Sequence, residues 1–277
     1  MDIAYPGTVE EAVAALESMD DPTVLSGGTD VMVEVNAGVR NPSEVVAVRR
    51  VRELHSWDGR RIGAGVTYRE MERGSVRSLA QAARTVGSPQ IRAAGTIGGN
   101  LGTGSPAGDT LPILSAYGAE IELRSAAGVR MVPISEFITG VKETVLRSGE
   151  LITAIELPAV APAAEAFAKV GVRSSMVISM VSGCALRWPD GRITLALGAV
   201  APVPLRMVRA EELLADHLQA GRPADGAVLD EVAELVRADV RPITDKRATA
   251  DYRRHAAGVL ARRLVARVAT RSEDETP

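Results

Sequence analysis

Ala94-Gly95-Thr96-Ile97-Gly98-Gly99-Asn100-Leu101-Gly102-Thr103-Gly104-Ser105-Pro106-Ala107-Gly108-Asp109 decides how this 277-residue chain is read. The stretch holds six glycines, three small hydroxyl residues, an Asn and an Asp, with almost no bulk. It has too few side chains to build a core. Without a Cβ, though, its backbone N–H groups can come close to a ligand, and oxygen-rich anions such as phosphates suit them. A flexible surface loop is the plain alternative. A second glycine loop, Gly27-Gly28-Thr29-Asp30, directly follows Thr23-Val24-Leu25-Ser26, which reads as a buried strand. Facing one ligand, the two loops would supply backbone donors and hydroxyls for a long pyrophosphate-bearing molecule.

Gly102 to Ala107 also fits a relaxed dinucleotide fingerprint, with Glu122 downstream. No buried strand feeds Gly102 and Pro106 interrupts the turn, so that match is accidental. No Walker A sequence occurs. Asp109 can accept hydrogen bonds from a ribose or other hydroxyls, or cap the helix that follows it; the sequence leaves both open.

Composition narrows the function. With 46% hydrophobic and 24% charged residues the chain is an ordinary globular protein, and with 3% aromatics its core must be Val, Ala, Leu and Ile. A net charge of −3 argues against nucleic acid as a partner. No apolar run has the roughly 20 residues of a membrane helix, and the N-terminus lacks the pattern of a signal peptide, so a cytoplasmic protein is expected. The lone Cys184 cannot ligate an iron–sulfur cluster, and the three His are too scattered for a zinc site. No metal site and no catalytic side chain is assigned to the chain itself.

The local patterns divide the chain. Thr8-Val9-Glu10-Glu11 is a capping box before a helix with Val9, Ala12, Val13 and Leu16 on one face. Val31 to Val35 is ambiguous between strand and helix, and Glu44 to Val48 is a strand. Residues 1–55 thus form a first lobe. A second lobe, 56–160, begins with Arg61 to Gly65 and a capping box at Thr67-Tyr68-Arg69-Glu70. It continues with a helix from Ser75 to Val86, a short helix ending at Gly118, a hairpin around Ala126-Ala127-Gly128, and a strand from Leu151 to Leu157. Pro158 to Ala164 reads as a linker. Beyond it, strands Ala166–Val170, Val177–Arg187 and Arg192–Val200 precede helices Arg209–Leu218, Val228–Val240 and Tyr252–Val268. That order predicts a separate α+β domain over 165–270, a three-stranded antiparallel sheet plus helices, with a disordered tail at 271–277. Lys169 reads by default as an exposed lysine and Cys184 as a core residue. Arg253, Arg254, Arg262, Arg263 and Arg267 read as a solvated face, or else a subunit-contact face.

These motifs together resemble one family, the FAD-binding medium subunits of molybdenum hydroxylases of the xanthine dehydrogenase and carbon monoxide dehydrogenase type. Ser26-Gly27-Gly28-Thr29-Asp30 looks like the family's first flavin loop and Gly95-Thr96-Ile97-Gly98-Gly99-Asn100 its second. Ser105-Pro106-Ala107-Gly108-Asp109 is similar to the segment after it. Phe167 to Arg173 and Thr244 to Arg254 resemble the C-terminal domain. The resemblance implies an α+β architecture: a two-lobed FAD-binding domain of the vanillyl-alcohol-oxidase type over 1–160, then the smaller domain. It implies FAD extended between the lobes, with Gly27, Gly28, Thr29, Thr96, Gly98, Gly99 and Asn100 on pyrophosphate or ribityl oxygens. Leu25, Ser26, Asp30, Val31, Ile97 and Thr103 would complete the cofactor site. By the same resemblance Asp109 would hold the adenosine ribose, Ile152 would pack on the isoalloxazine, and Lys169 would reach its polar edge. Val86 stands where some relatives place an aromatic against adenine, and Val177 where many carry an acid.

What the resemblance implies functionally is a flavoprotein subunit with no substrate chemistry of its own. A molybdopterin-binding large subunit would hydroxylate the substrate, and [2Fe–2S] clusters on a small subunit would relay electrons to FAD, which would reduce NAD or another acceptor. Gly140-Val141-Lys142-Glu143-Thr144 resembles the xanthine dehydrogenase subunits more than the carbon monoxide ones. A carbon monoxide dehydrogenase-type medium subunit, a self-contained flavin oxidoreductase of the same fold, and a non-catalytic nucleotide-binding or assembly module are the alternatives.

Overall fold

A computed structural model describes residues 1–173 and 176–270 of the chain. The first lobe is a parallel three-stranded sheet with Glu44–Ala47 at its centre, flanked by Asp2–Ala4 and Pro22–Leu25. Parallel strands need a crossover, and helix Val9–Ser18 supplies it, burying Val9, Ala12, Val13 and Leu16. The Thr8 hydroxyl accepts from the Glu11 N–H at 3.1 Å, but the Glu11 carboxylate accepts from Gly7, so only half of the expected box forms. Val31–Asn36, ambiguous in sequence, is a helix, and none of its residues is buried.

The second lobe is a five-stranded antiparallel sheet ordered Trp57–Asp58, Arg61–Gly63, Leu151–Glu156, Glu120–Ser125, Gly128–Pro133. Its central strand is buried from Leu151 to Ile155, with Ile155 opposite Ile62 on one side and Ile121 on the other. The helix expected from Ser75 to Val86 is shorter, Arg77–Ala83. Both halves of the Thr67–Glu70 capping box are formed.

The third sheet is antiparallel: Ala164–Val170, Val181–Arg187, Ile193–Gly198 and a two-residue strand Leu205–Arg206. That fourth strand extends the expected three; two residues carry no periodicity to read. The second strand begins at Val181, not Val177, and its segment 176–180 runs outside the sheet. Helices Val208–Gln219, Gly226–Asp239 and Ala250–Ala269 cover one face. The other face meets the second lobe, and side-chain alternation separates the two. Ala164, Ala166, Val181, Ala185, Leu195 and Leu197 join the core under the helices. Phe167, Cys184, Leu186 and Ala196 join the core of the first two lobes, as does Trp188 just past its strand. Helix Leu111–Tyr117, buried at every residue, lies at that seam.

Strand alternation also corrects the reading of Lys169. Glu165, Phe167 and Lys169 alternate with the alanines and point at the second lobe, so the lysine side chain is buried rather than exposed. Arg253 also departs from the solvated-face reading. It is 3% exposed, donating to Asp245 Oδ1 at 2.9 Å and to the carbonyls of Met180 and Ala199. The expected disordered tail, 271–277, lies outside the described residues. Among the described residues no helix is long and apolar enough to cross a membrane.

Candidate functional site

The two glycine segments meet. A Cβ on Gly27 would fall 1.8 Å from the Ala94 carbonyl oxygen, a contact only glycine permits. The Ser26 and Thr96 hydroxyls lie 3.2 Å apart, and Thr96 pairs with Thr67 in an isolated antiparallel bridge. Around this junction the lobes enclose a cleft of about 720 Å³, within the range of cofactor sites. Ser26, Gly27, Gly28, Thr29, Asp30, Val31, Thr96, Gly98, Gly99, Asn100, Thr103 and Ile152 all line it. Val86, where an aromatic was missed, lines it too. Leu25, Ile97, Asp109 and Lys169 are outside the lining.

The two segments contribute differently. Gly28 has φ +67°, and beyond it the chain turns into helix Val31–Asn36. Among the described residues the backbone N–H groups of Gly27, Gly28, Thr29, Asp30 and Val31 donate to nothing in the chain. Five consecutive unpaired donors on a cleft wall form a nest that matches the charge and the acceptor density of a pyrophosphate. The second segment is not the loop that its glycines suggest. Ile97–Thr103 is a helix, started by the Thr96 hydroxyl accepting from Gly99 N–H at 3.0 Å. Ile97 donates to Val66, Gly98 to Ala64 and Asn100 to Thr96, so its first-turn amides are used internally. Gly98 serves packing, since a Cβ there would meet the Ala64 Cβ at 2.6 Å, whereas one on Gly102 would meet Ile152 only at an ordinary 3.7 Å. What this segment offers a ligand is side chains. Asn100 Oδ1 accepts from the Thr110 hydroxyl at 2.5 Å, which leaves its Nδ2 to donate.

Asp109 does not cap its helix. The residue at that helix start is Thr110, with no side-chain cap bond. Instead Asp109 Oδ2 accepts from Lys169 Nζ at 2.7 Å and Oδ1 from the Ser179 hydroxyl at 2.5 Å, both acid and lysine being 7% exposed. Lys169 donates also to the carbonyls of Thr85 and Val177. While that pair stands, the two residues cannot reach the opposite ends of an extended FAD.

Ile152 reaches the cleft through an irregularity. The register with Glu120–Ser125 shifts between Ile152 and Ala154, and Leu151 and Ile152 both line the cleft. Bulges re-aim side chains beside sites in this way. Tyr68, Ile178, Arg40, Glu34, Lys142 and Glu150 line it as well and carry no glycine signature by which to find them. Burial pushes the Tyr68 phenol well above its usual range, with Asp109 and Asp30 adding to the effect. Lys142, in the left-handed region at φ 58°, crosses the mouth of the cleft to Glu34 at 2.8 Å. Its hydrogen bond holds the Glu34 carboxyl below its ordinary range.

The comparisons with known proteins point the same way. The FAD binding domain in molybdopterin dehydrogenase matches residues 1–160, and the CO dehydrogenase flavoprotein C-terminal domain matches residues 166–268. The chain belongs to this family. It is a FAD-binding medium subunit of the molybdenum hydroxylase type, an oxidoreductase component. It is 34% identical to the nicotinate dehydrogenase FAD-subunit of Eubacterium barkeri over 76% of this chain and 77% of that one. It is 29% identical to the xanthine dehydrogenase FAD-binding subunit of Escherichia coli O157:H7, over 93% and 92%. Its fold matches a reconstituted CO dehydrogenase from Oligotropha carboxidovorans with a TM-score of 0.90, at 28% identity and covering 98% of both chains.

Proposed function

We propose that this subunit holds FAD extended in the cleft between its lobes and serves as the electron outlet of a cytoplasmic molybdenum hydroxylase complex. The observation that carries this reading is the run of five unpaired amides, Gly27 to Val31, on the wall of the cleft. They would hold the pyrophosphate without a lysine, while Asn100 Nδ2 and the Thr103 hydroxyl take ribityl or phosphate oxygens. Leu151 and Ile152 would give the isoalloxazine an apolar wall that excludes water. Bound FAD supplies the step between one-electron and two-electron carriers. The chain contributes binding, orientation and burial. Electrons would arrive from [2Fe–2S] clusters of a small partner subunit and leave to NAD or another acceptor, and a molybdopterin-binding large subunit would carry the substrate chemistry.

The relatives oxidise substrates as different as nicotinate, xanthine and carbon monoxide by their names. The cofactor-binding residues therefore do not select the substrate, and only likeness to one group of relatives points to the type of complex. The hairpin Ile138–Gly140 and Glu143–Thr144 carries the xanthine dehydrogenase-like Gly140–Thr144 sequence, which supports a purine-type complex. The test is purification of the native complex with flavin and metal analysis. The expected result is one FAD, not FMN, on this chain, and molybdenum and [2Fe–2S] clusters on co-purifying chains. A colourless chain that takes up no FAD overturns the reading, and substrate bleaching by the isolated chain would favour a self-contained oxidoreductase instead.

A further inference from the structure

The helices of the C-terminal domain neutralise their arginines within the chain, with two exceptions. Arg209 pairs with Asp239, Arg237 with Glu234, Arg254 with Asp251, Arg262 with Asp230, and the buried Arg253 with Asp245. Arg263 and Arg267, on the last helix, are exposed and have no acid among the described residues. They share a side of that helix with Tyr252 and His255, both exposed, at helical spacing. Ala257, Ala261, Leu264 and Val268, on the other side, are buried in the core of the domain. The segment before the helix is irregular yet fixed. Asp245 accepts from the N–H groups of Arg247 at 2.8 Å and Ala248 at 3.2 Å and from Arg253 Nη2 at 2.9 Å. The Thr244 hydroxyl accepts from Ala250 N–H at 2.9 Å, tying the segment to the first turn. Held in this way, it presents Ile243, 67% exposed.

We infer that Ile243, Tyr252, Arg263 and Arg267 form the face on which a partner chain of the complex docks through an acidic patch. The inference rests on the reading that this chain works as a subunit. An arginine without a carboxylate of its own offers a planar fork that fits an Asp or Glu of another chain. The net charge of −3 makes that match a protein surface rather than a nucleic acid. Tyr and Arg are the side chains that most often anchor an interface, and a segment already rigid loses little entropy on docking. None of the four residues lines the cleft, so docking and cofactor binding are separable. The motif from Thr244 to Arg254 thereby acquires a division of labour. Asp245 and Arg253 hold the surface in shape, and Tyr252 faces the partner.

The experiment purifies the tagged full chain from its own host and measures, per chain, the FAD and the co-purifying chains that carry molybdenum and [2Fe–2S] clusters. Arg263→Glu with Arg267→Glu should weaken retention of those chains about tenfold, the scale of a reversed charge contact at an interface, and leave the FAD content unchanged. Tyr252→Ser should act in the same direction. Raising the salt concentration should weaken the parent complex more than the reversed one. Arg69→Glu with Arg73→Glu, the same change of net charge on an exposed helix of the second lobe, should stay near the parent. Full retention of partners by the Arg263 and Arg267 variant overturns the inference. So does equal loss in both double variants, which would make net charge the cause. A parent chain that sediments alone as a dimer, dissociated by the reversal at Arg263 and Arg267, would assign the face to a second copy and overturn the acidic partner. A parent that binds FAD but recovers no metal-carrying chain overturns the subunit reading itself, and this inference with it.

Discussion

Gly27 and Ala94 touch so closely that a methyl group on Gly27 would sit 1.8 Å from the Ala94 carbonyl oxygen and 2.4 Å from its carbon. Both neighbours are backbone, so no rotamer change relieves the clash. Gly27→Ala must push the first lobe away from the second at the point where both line the cleft. The expected outcome is loss of most bound FAD and a destabilisation of about 3 kcal/mol, in the upper range for single substitutions. Gly226→Ala, where a Cβ would meet open space, should change neither. Flavin-to-protein absorbance ratios and denaturant titrations of the three proteins check this.

Lys142 and Glu34 bridge the lobes across the cleft mouth, with Lys142 half-exposed and Glu34 30% exposed. An ion pair so accessible to water is worth about 0–1 kcal/mol. Glu34→Gln should therefore speed FAD release by no more than about fivefold, and raising the salt concentration should have the same effect on the parent and none on the variant. Stopped-flow release rates at two ionic strengths decide it. A salt-insensitive parent would show that the bridge does not restrain the cofactor.

Asp245 is held well below the usual carboxylate range, chiefly by the Arg247 backbone N–H and then by Arg253. A carboxylate depressed on folding adds stability that is present above its unfolded pKa of about 3.9 and is lost as pH falls toward its folded value. Stability should thus decline with acid below about pH 4. Asp245→Asn should flatten part of that decline and cost about 3 kcal/mol at neutral pH, because it leaves the buried Arg253 without its carboxylate. Denaturation midpoints between pH 3 and 7 measure both effects.

The Thr194 hydroxyl donates to the Ala116 carbonyl at 2.9 Å and accepts from the Trp188 indole N–H at 3.1 Å. Thr194→Val keeps the shape and orphans two buried polar groups at the domain seam, a cost of about 2–6 kcal/mol at roughly 1–3 per group. The loss should appear in a single unfolding transition, since the seam is part of one apolar core. Two separated transitions in calorimetry would contradict that.

Local signals carried most of the elements. The capping box at Thr67, the stop at Gly118 with φ 64° and the hairpin at Gly128 all depend on residues within four positions of one another. The cleft between the lobes was legible because the first glycine loop follows a strand and offers unpaired amides on its wall. The second segment was harder. Seven residues with three glycines have poor helix propensity, yet Thr96 caps them and the Ala64 backbone packs against them, neither visible as a periodic pattern. Asp109, Lys169 and Ser179 escaped for a plainer reason. Their partnership spans 60 to 70 positions, and an acid beside a helix start has a local role available that the fold does not use. Arg253 looked solvated because its acid, Asp245, lies in the irregular segment before the helix rather than on the helix face.

The alternation along the strands from Ala164 to Gly198 has a consequence for how such chains can be recombined. One set of side chains belongs to the helices above it, and the other set, with Phe167, Cys184, Leu186 and Ala196, completes the interior of the flavin-side lobes. A crossover at residue 160 between two relatives, although it falls between the matched regions, would separate the lobes from part of their own interior. A chimera that keeps function would have to carry that odd-and-even strip with the lobe it fits, so the heritable unit is wider than the segment that bears the cofactor.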